Sequence, residues 1–210
     1  CCDRVILTLK GINDKLTIHE INLNKLRTKW FYFCTMLGQS FKTMEKIAEY
    51  AKSKKIDIAF NPSTYLAKKG HKYLRNVLSA TTILILNKEE AGLLSKEKNI
   101  YNMLNKLHHF GPKIVCITDG KNGSYSSDSE NVYYLPTSKK KPVEVTGAGD
   151  AYGSTFLAGI IYKFSLPEAM KLAQANAESV IAYIGAKNKL LTYDEVFHKV
   201  KSTLKVRKLR

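Results

Sequence analysis

The run Trp30-Phe31-Tyr32-Phe33-Cys34-Thr35 is rich in strand-forming aromatic residues, and a second short apolar run, Asp57-Ile58-Ala59-Phe60, follows it. Between the two, Phe41, Met44, Ile47, Ala48 and Ala51 recur at helical spacing, while Lys42, Glu45, Lys46, Glu49 and Lys52 fill the opposite face. Strand, amphipathic crossover helix and strand make a βαβ unit, which requires parallel strands. The alternation continues outward in both directions. Val5–Leu9, Thr82–Leu86 and Ile114–Thr118 read as further strands, and Tyr101–His109 reads as a helix stopped by Gly111-Pro112. The expected fold class is therefore α/β: a mainly parallel sheet flanked by helices in three αβα layers.

Beyond Thr118 the pattern changes. Gly123–Ser127 and Val132–Leu135 form an expected hairpin around the polar turn Asp128-Ser129-Glu130, and three helices close the chain. The first begins at the glycines of Thr146-Gly-Ala-Gly-Asp150. The second begins at Ser165-Leu-Pro-Glu168, a capping box, and is expected to end at Gly185; Thr192-Tyr-Asp-Glu195 repeats the device for the third. No internal repeat or long linker divides residues 1–210, so a single domain is expected, with a basic helix end over 199–210.

Composition narrows the function classes. Of 210 residues, 44% are hydrophobic, with 12 Gly and 5 Pro, so the chain can bury a core and is neither collagen-like nor low-complexity. A formal charge of +16, from 34 Lys+Arg against 18 Asp+Glu, favours an anionic ligand. Cys1, Cys2, Cys34 and Cys116 have no Cys-x-x-Cys spacing, which argues against zinc and for a reduced, cytoplasmic protein. No apolar run approaches the roughly 20 residues that span a bilayer. The opening Cys1-Cys2-Asp3-Arg4 reads as a fragment or a processed chain.

Three segments carry chemistry. In Thr146-Gly147-Ala148-Gly149-Asp150, glycines allow a tight turn that presents backbone N–H groups at a helix N-terminus, an anion hole. A carboxylate placed there suits a base that takes a proton from a hydroxyl beside a transferring phosphoryl group. Against this stands a plain Gly-rich turn with Asp150 complementing the helix dipole. Thr118-Asp-Gly-Lys-Asn-Gly123, at a strand end, offers a hydroxyl and amides for nucleotide phosphates, or else is an ordinary strand-to-hairpin turn. Asn87 and Glu90 share the first turn of a helix, where they suit hydrated Mg²⁺ or simply cap that helix.

Taken with Ala175-Asn176-Ala177, the order and spacing of these segments strongly resemble the ribokinase-like carbohydrate kinase family of the phosphofructokinase B type. The resemblance covers the chain from about Asp57 onward, and Gly-Ala-Gly-Asp150 is its most specific element. It implies that Asp150 is the catalytic base and that Gly147, Ala148 and Gly149 supply N–H groups to the transferring phosphoryl. It further implies that Thr118, Gly120 and Gly123 line the ATP phosphate site, that Asn176 borders the adenine, and that Asn87 and Glu90 organise Mg²⁺ largely through water. ATP and Mg²⁺ are then the cofactors, a sugar or nucleoside the substrate, and a homodimer a family option.

Two departures stand out. Where the family shows Asp-Thr ahead of its signature, an Asp that in many relatives helps hold a monovalent cation, this chain has Glu144-Val145, which puts potassium activation in doubt. The family's N-terminal portion, with its Gly-Gly substrate motif and β-rich lid, has no counterpart, so the fragment is expected to be weakly active or inactive.

Other features receive plainer readings. His108-His109 point to different helix faces, Trp30–Phe33 is expected in the core, and Asn61-Pro62-Ser63 reads as a Pro-containing turn at a strand end. Lys199, Lys201, Lys205, Arg207, Lys208 and Arg210 read as a solvated terminal helix. The competing function is a non-catalytic kinase fragment that binds nucleotide or nucleic acid through this basic surface. With the kinase reading preferred, neither nucleic acid nor membrane is an expected partner.

Overall fold

The structure, a computed structural model, describes residues 11–138, 141–200 and 205–209, the side chains of 198–200 excepted. The described residues fall into two compact units, one within 5–115 and the other within 116–210. The expected strand Val5–Leu9, along with Lys201 and Arg210 of the basic tail, lies outside the described residues, as does the side chain of Lys199.

The first unit contains the expected βαβ core. Strands β1 (Trp30–Phe33) and β2 (Asp57–Phe60) pair in parallel, Trp30 beside Asp57 and Phe33 beside Phe60. Helix α1 (Gly38–Lys54) connects them and buries Phe41, Met44, Ile47, Ala48 and Ala51, the stripe legible in its sequence. It ends at Lys55, which takes the left-handed conformation at φ 56°. After α2 (Ser63–Ala67) and α3 (Gly70–Ala80), strand β3 (Ile83–Asn87) joins β2 in parallel, one residue later than the sequence suggests. The Thr82 hydroxyl donates to Asp57 Oδ1 at 2.7 Å, and the Thr82 amide donates to the Ile58 carbonyl at 2.8 Å, which fixes the register at the strand entry.

Trp30–Phe33 departs from the expected core placement. Only Phe33 is buried; Trp30 and Phe31 are half-buried and Tyr32 is 36% exposed. An interior parallel strand is covered on both faces, whereas among the described residues β1 terminates the β1–β2–β3 order. The strand also stops at Phe33 rather than Thr35.

Helices α4 (Lys88–Ser95) and α5 (Ile100–His109) complete this unit. Asn99 caps α5 through Oδ1, which accepts the Tyr101 amide at 2.8 Å. Gly111, at φ 128°, ends the segment where a β-carbon would come within 2.6 Å of the Leu78 carbonyl oxygen. His108 and His109 are held separately, their Nδ1 atoms lying 2.9 Å from the Pro112 carbonyl and 2.7 Å from the Asn105 carbonyl.

Strand β4 (Ile114–Thr118) leads the chain into the second unit. There β5 (Ser124–Ser127) and β6 (Val132–Leu135) form the expected antiparallel hairpin. Arg207–Lys208 forms β7, antiparallel to β6, so this part of the basic tail is an edge strand rather than a helix end. Helices α6 (Ala148–Ile161) and α7 (Leu166–Val180) pack so closely that a β-carbon at Gly159 would come within 2.9 Å of the Ala169 side chain. Helix α7 ends at Val180, short of Gly185; residues 181–189 are turns and bends. Helix α8 (Tyr193–Val200) follows.

Beneath α6 lies a buried polar chain. Tyr152 donates its hydroxyl to Ser124 Oγ at 2.8 Å, and burial pushes the neighbouring Cys116 thiol up to about 12. Such a thiol is a core residue rather than a nucleophile. No helix among the described residues is long and apolar enough to cross a membrane.

Candidate active site

The segment before α6 turns where its glycine permits. Gly147 caps the helix in the left-handed region at φ 83°, ψ −8°, and its carbonyl accepts the Ala151 amide at 2.9 Å to start the helical ladder. Asp150 is in the first turn and exposed, and its backbone carbonyl accepts the Ser154 hydroxyl at 2.7 Å. Gly149 is exposed too, with no atom within 4 Å of where a β-carbon would stand. The three expected anion-hole amides are not equivalent, because the Ala148 amide already donates to the Val145 carbonyl, over a long 3.3 Å. The Thr146 hydroxyl, one residue before the cap, is buried without a hydrogen-bond partner.

Behind this turn lies a contact that local sequence does not announce. The Gly147 α-carbon is pressed against the Ala186 backbone, and the Glu144 carboxylate accepts the Gly185 amide at 2.8 Å. The bond spans 41 residues of sequence and joins two loops, so neither periodicity nor a motif could reveal it.

The turn after β4 is closed on itself. The Asp119 amide donates to the Gly123 carbonyl at 2.7 Å and the Asn122 amide to the Asp119 carbonyl at 2.9 Å. Gly120 and Gly123 take φ 50° and 100°, and the turn is strapped from outside by Tyr134, whose hydroxyl donates to the Asn122 carbonyl at 2.9 Å. Thr118 ends β4, half-buried, beside this turn.

Asn176 is 6% exposed and engaged on both sides: Nδ2 donates to Thr155 Oγ1 at 2.7 Å, while Oδ1 accepts the Leu191 amide at 2.9 Å. It lies in the wall of a cavity of about 370 Å³ formed with Thr155, Tyr162, Leu172, Tyr193 and Phe197. Thr118, Gly120, Gly123, Gly147, Ala148, Gly149, Asp150 and Asn176 all belong to the second unit.

Asn87 and Glu90 belong to the first unit and cap α4 reciprocally. Asn87 Oδ1 accepts the Glu90 amide at 2.9 Å, and Glu90 Oε2 accepts the Asn87 amide at 3.0 Å. The other Glu90 oxygen accepts the Thr64 hydroxyl at 3.2 Å. With Glu90 buried and each of its oxygens holding a donor, contact with a metal ion through water suits this pair better than direct ligation. Among the described residues no three His, Cys, Asp or Glu side chains cluster as a metal site.

The comparisons with known proteins agree on one family. The profile of the pfkB family carbohydrate kinases matches residues 3–192. The chain is 27% identical over 176 residues to an ATP-dependent 6-phosphofructokinase of Thermoanaerobacterium thermosaccharolyticum, covering 81% of this chain and 53% of that protein. It is 28% identical over 197 residues to the ribokinase of Bacillus subtilis, covering 92% and 64%. An E. coli protein assigned as a ribokinase II and solved with ATP and Mg²⁺ superposes with a TM-score of 0.83 at 19% identity, over 93% of this chain and 67% of the other. The ribokinase of Thermotoga maritima gives 0.77 at 21% identity, over 90% and 62%. The chain thus spans between about half and two thirds of the length of these proteins, and its fold is ribokinase-like α/β. By the profile that covers nearly all of it, the chain belongs to the pfkB family of carbohydrate kinases.

Proposed function

We propose that this chain carries the phosphoryl-transfer centre of an ATP-dependent kinase acting on a hydroxyl of a sugar or nucleoside. The observation that carries the reading is the start of α6, where an exposed Asp150 follows a left-handed Gly147 and an open Gly149 in the first helical turn. In the proposed step the acceptor hydroxyl gives its proton to the Asp150 carboxylate as its oxygen bonds to the γ-phosphorus. The bond from that phosphorus to the bridging oxygen breaks, and ADP leaves. Charge accumulating on the γ-oxygens is met by the amides and the positive helix end at 147–149.

Thr118, Gly120 and Gly123 are the proposed cradle of the remaining phosphates. Helix α7 around Asn176 is the proposed border of the adenine, with the Asn176 side chain contributing shape, since its polar groups are already used within the protein. Mg²⁺, when bound, would offset phosphate charge, and Asn87 and Glu90 are proposed to meet its water shell. The acceptor class is supported by relatives that include a cytidine kinase and a ribokinase. A cytoplasmic setting is part of the same proposal and rests on the cysteine spacing, which has no Cys-x-x-Cys pair.

The test is γ-phosphoryl transfer from labelled ATP to a panel of sugars and nucleosides, with Mg²⁺-ATP affinity measured in parallel. In the intact enzyme, Asp150→Asn should lower turnover by about 10²- to 10⁴-fold and leave ATP affinity within about threefold. Near-normal turnover in that variant, or a wild-type chain that ignores Mg²⁺-ATP, would overturn the reading.

A further inference from the structure

The loop of residues 181–191 forms a wall against the anion-binding turn and is held at its two ends and at Gly185. At its far end the Leu191 amide donates to Asn176 Oδ1 at 2.9 Å, and Asn176 ties on to Thr155 of α6 through its Nδ2. At its near end the Val143 amide donates to the Ile181 carbonyl at 2.8 Å, and the Gly185 amide donates to Glu144 Oε2, also at 2.8 Å. The next residue, Ala186, presents the carbonyl that lies against Gly147. The Glu144 carboxylate therefore fixes the 184–185 peptide, two before the 186–187 peptide that backs the helix cap.

We infer that Glu144 is a positioning residue for phosphoryl transfer: by holding the Gly185 amide it sets the Ala186 carbonyl behind Gly147, and so keeps the 147–149 turn in its anion-binding shape. A charged acceptor makes this a stronger tie than a neutral one. The tie matters because preorganised donors stabilise the transition state only if they need not reorganise as charge develops. Asp is one methylene shorter and would not span the same gap without movement of the loop. The catalytic consequence rests on the proposed kinase function; the structural tie does not.

The experiment uses the full chain with Glu144→Ala and Glu144→Gln, read by amide hydrogen exchange and by steady-state kinetics. Exchange at Gly185 and at residues 147–149 should quicken in Glu144→Ala and recover in Glu144→Gln, which keeps an acceptor oxygen, while the β5–β6 hairpin stays as protected as in the wild type. With ATP, Glu144→Ala should lower kcat by about tenfold and move the KM for ATP less than twofold, because the lost stabilisation belongs to the transition state. Unchanged exchange at 147–149, protection lost equally in the hairpin, or an unchanged kcat would each overturn the inference. A wild-type chain that does not bind Mg²⁺-ATP would defeat the kinase reading instead, and the exchange result would then decide the tie alone.

Discussion

Gly147 stands so close to Ala186 that a β-carbon at position 147 would overlap the Ala186 carbonyl oxygen, and its φ of 83° is one that residues with a β-carbon rarely adopt. The glycine is thus required twice, once for the conformation and once for the approach. Gly149 differs in both respects, since its surroundings are open and its φ is not positive.

These two glycines give a paired prediction. Gly147→Ala should cost about 1–3 kcal/mol through backbone strain, with the overlap added, and should abolish transfer. Gly149→Ala should gain up to about 1 kcal/mol from better helix propensity, yet weaken transfer because the new methyl group occupies the space a phosphoryl group would approach. Denaturant midpoints and turnover measured on the same samples check both. A Gly149→Ala variant that is more stable and fully active would remove Gly149 from the proposed anion site.

Asn176 allows stability to be separated from recognition. Asn176→Ala leaves the Leu191 amide and the Thr155 hydroxyl without their partner, a loss of about 1–3 kcal/mol. At roughly 2–4 °C per kcal/mol for a chain of this size, the melting temperature should fall measurably. Because both polar groups of the side chain are engaged within the protein, any preference for ATP over GTP should be unchanged below the new melting point. A lost preference with an unchanged melting temperature would instead make the side chain a direct reader of the base.

Periodicity and end signals made most of the fold legible. The α1 stripe, the Asp57–Phe60 strand and the 124–135 hairpin all follow from spacing, since a period of two or of 3.6 residues is a local property. What escaped depended on neighbours distant in sequence. Trp30–Phe33 has the composition of a core strand, but it ends the strand order among the described residues, and Tyr32 is exposed. Gly185 looks like a helix stop, yet α7 ends at Val180 and Gly185 serves Glu144 instead. At the site, the glycines and Asp150 were legible as a motif, whereas the loop that backs them was not. The Asn87–Glu90 spacing fits both capping and ion binding, and the structure shows the capping directly.

The start of α7 carries a stability contribution whose pH dependence can be worked out from its bonds. Glu168 Oε2 accepts the Ser165 hydroxyl at 2.6 Å and the Ser165 amide at 2.9 Å, and these bonds, the hydroxyl first, hold the Glu168 carboxyl below its ordinary value of 4.5. A carboxylate whose folded pKa is depressed binds fewer protons folded than unfolded at mildly acid pH. Its contribution is therefore complete above about pH 5, fades as pH falls below the unfolded value, and is gone once pH passes below the folded one. Glu168→Gln should then cost about 1 kcal/mol at pH 7, a typical value for a helix cap, and progressively less as pH falls through the folded value. Urea midpoints for the two proteins, measured across that range, should converge as the acid limb is descended. Curves that stay parallel would show that the carboxylate charge contributes nothing to the cap.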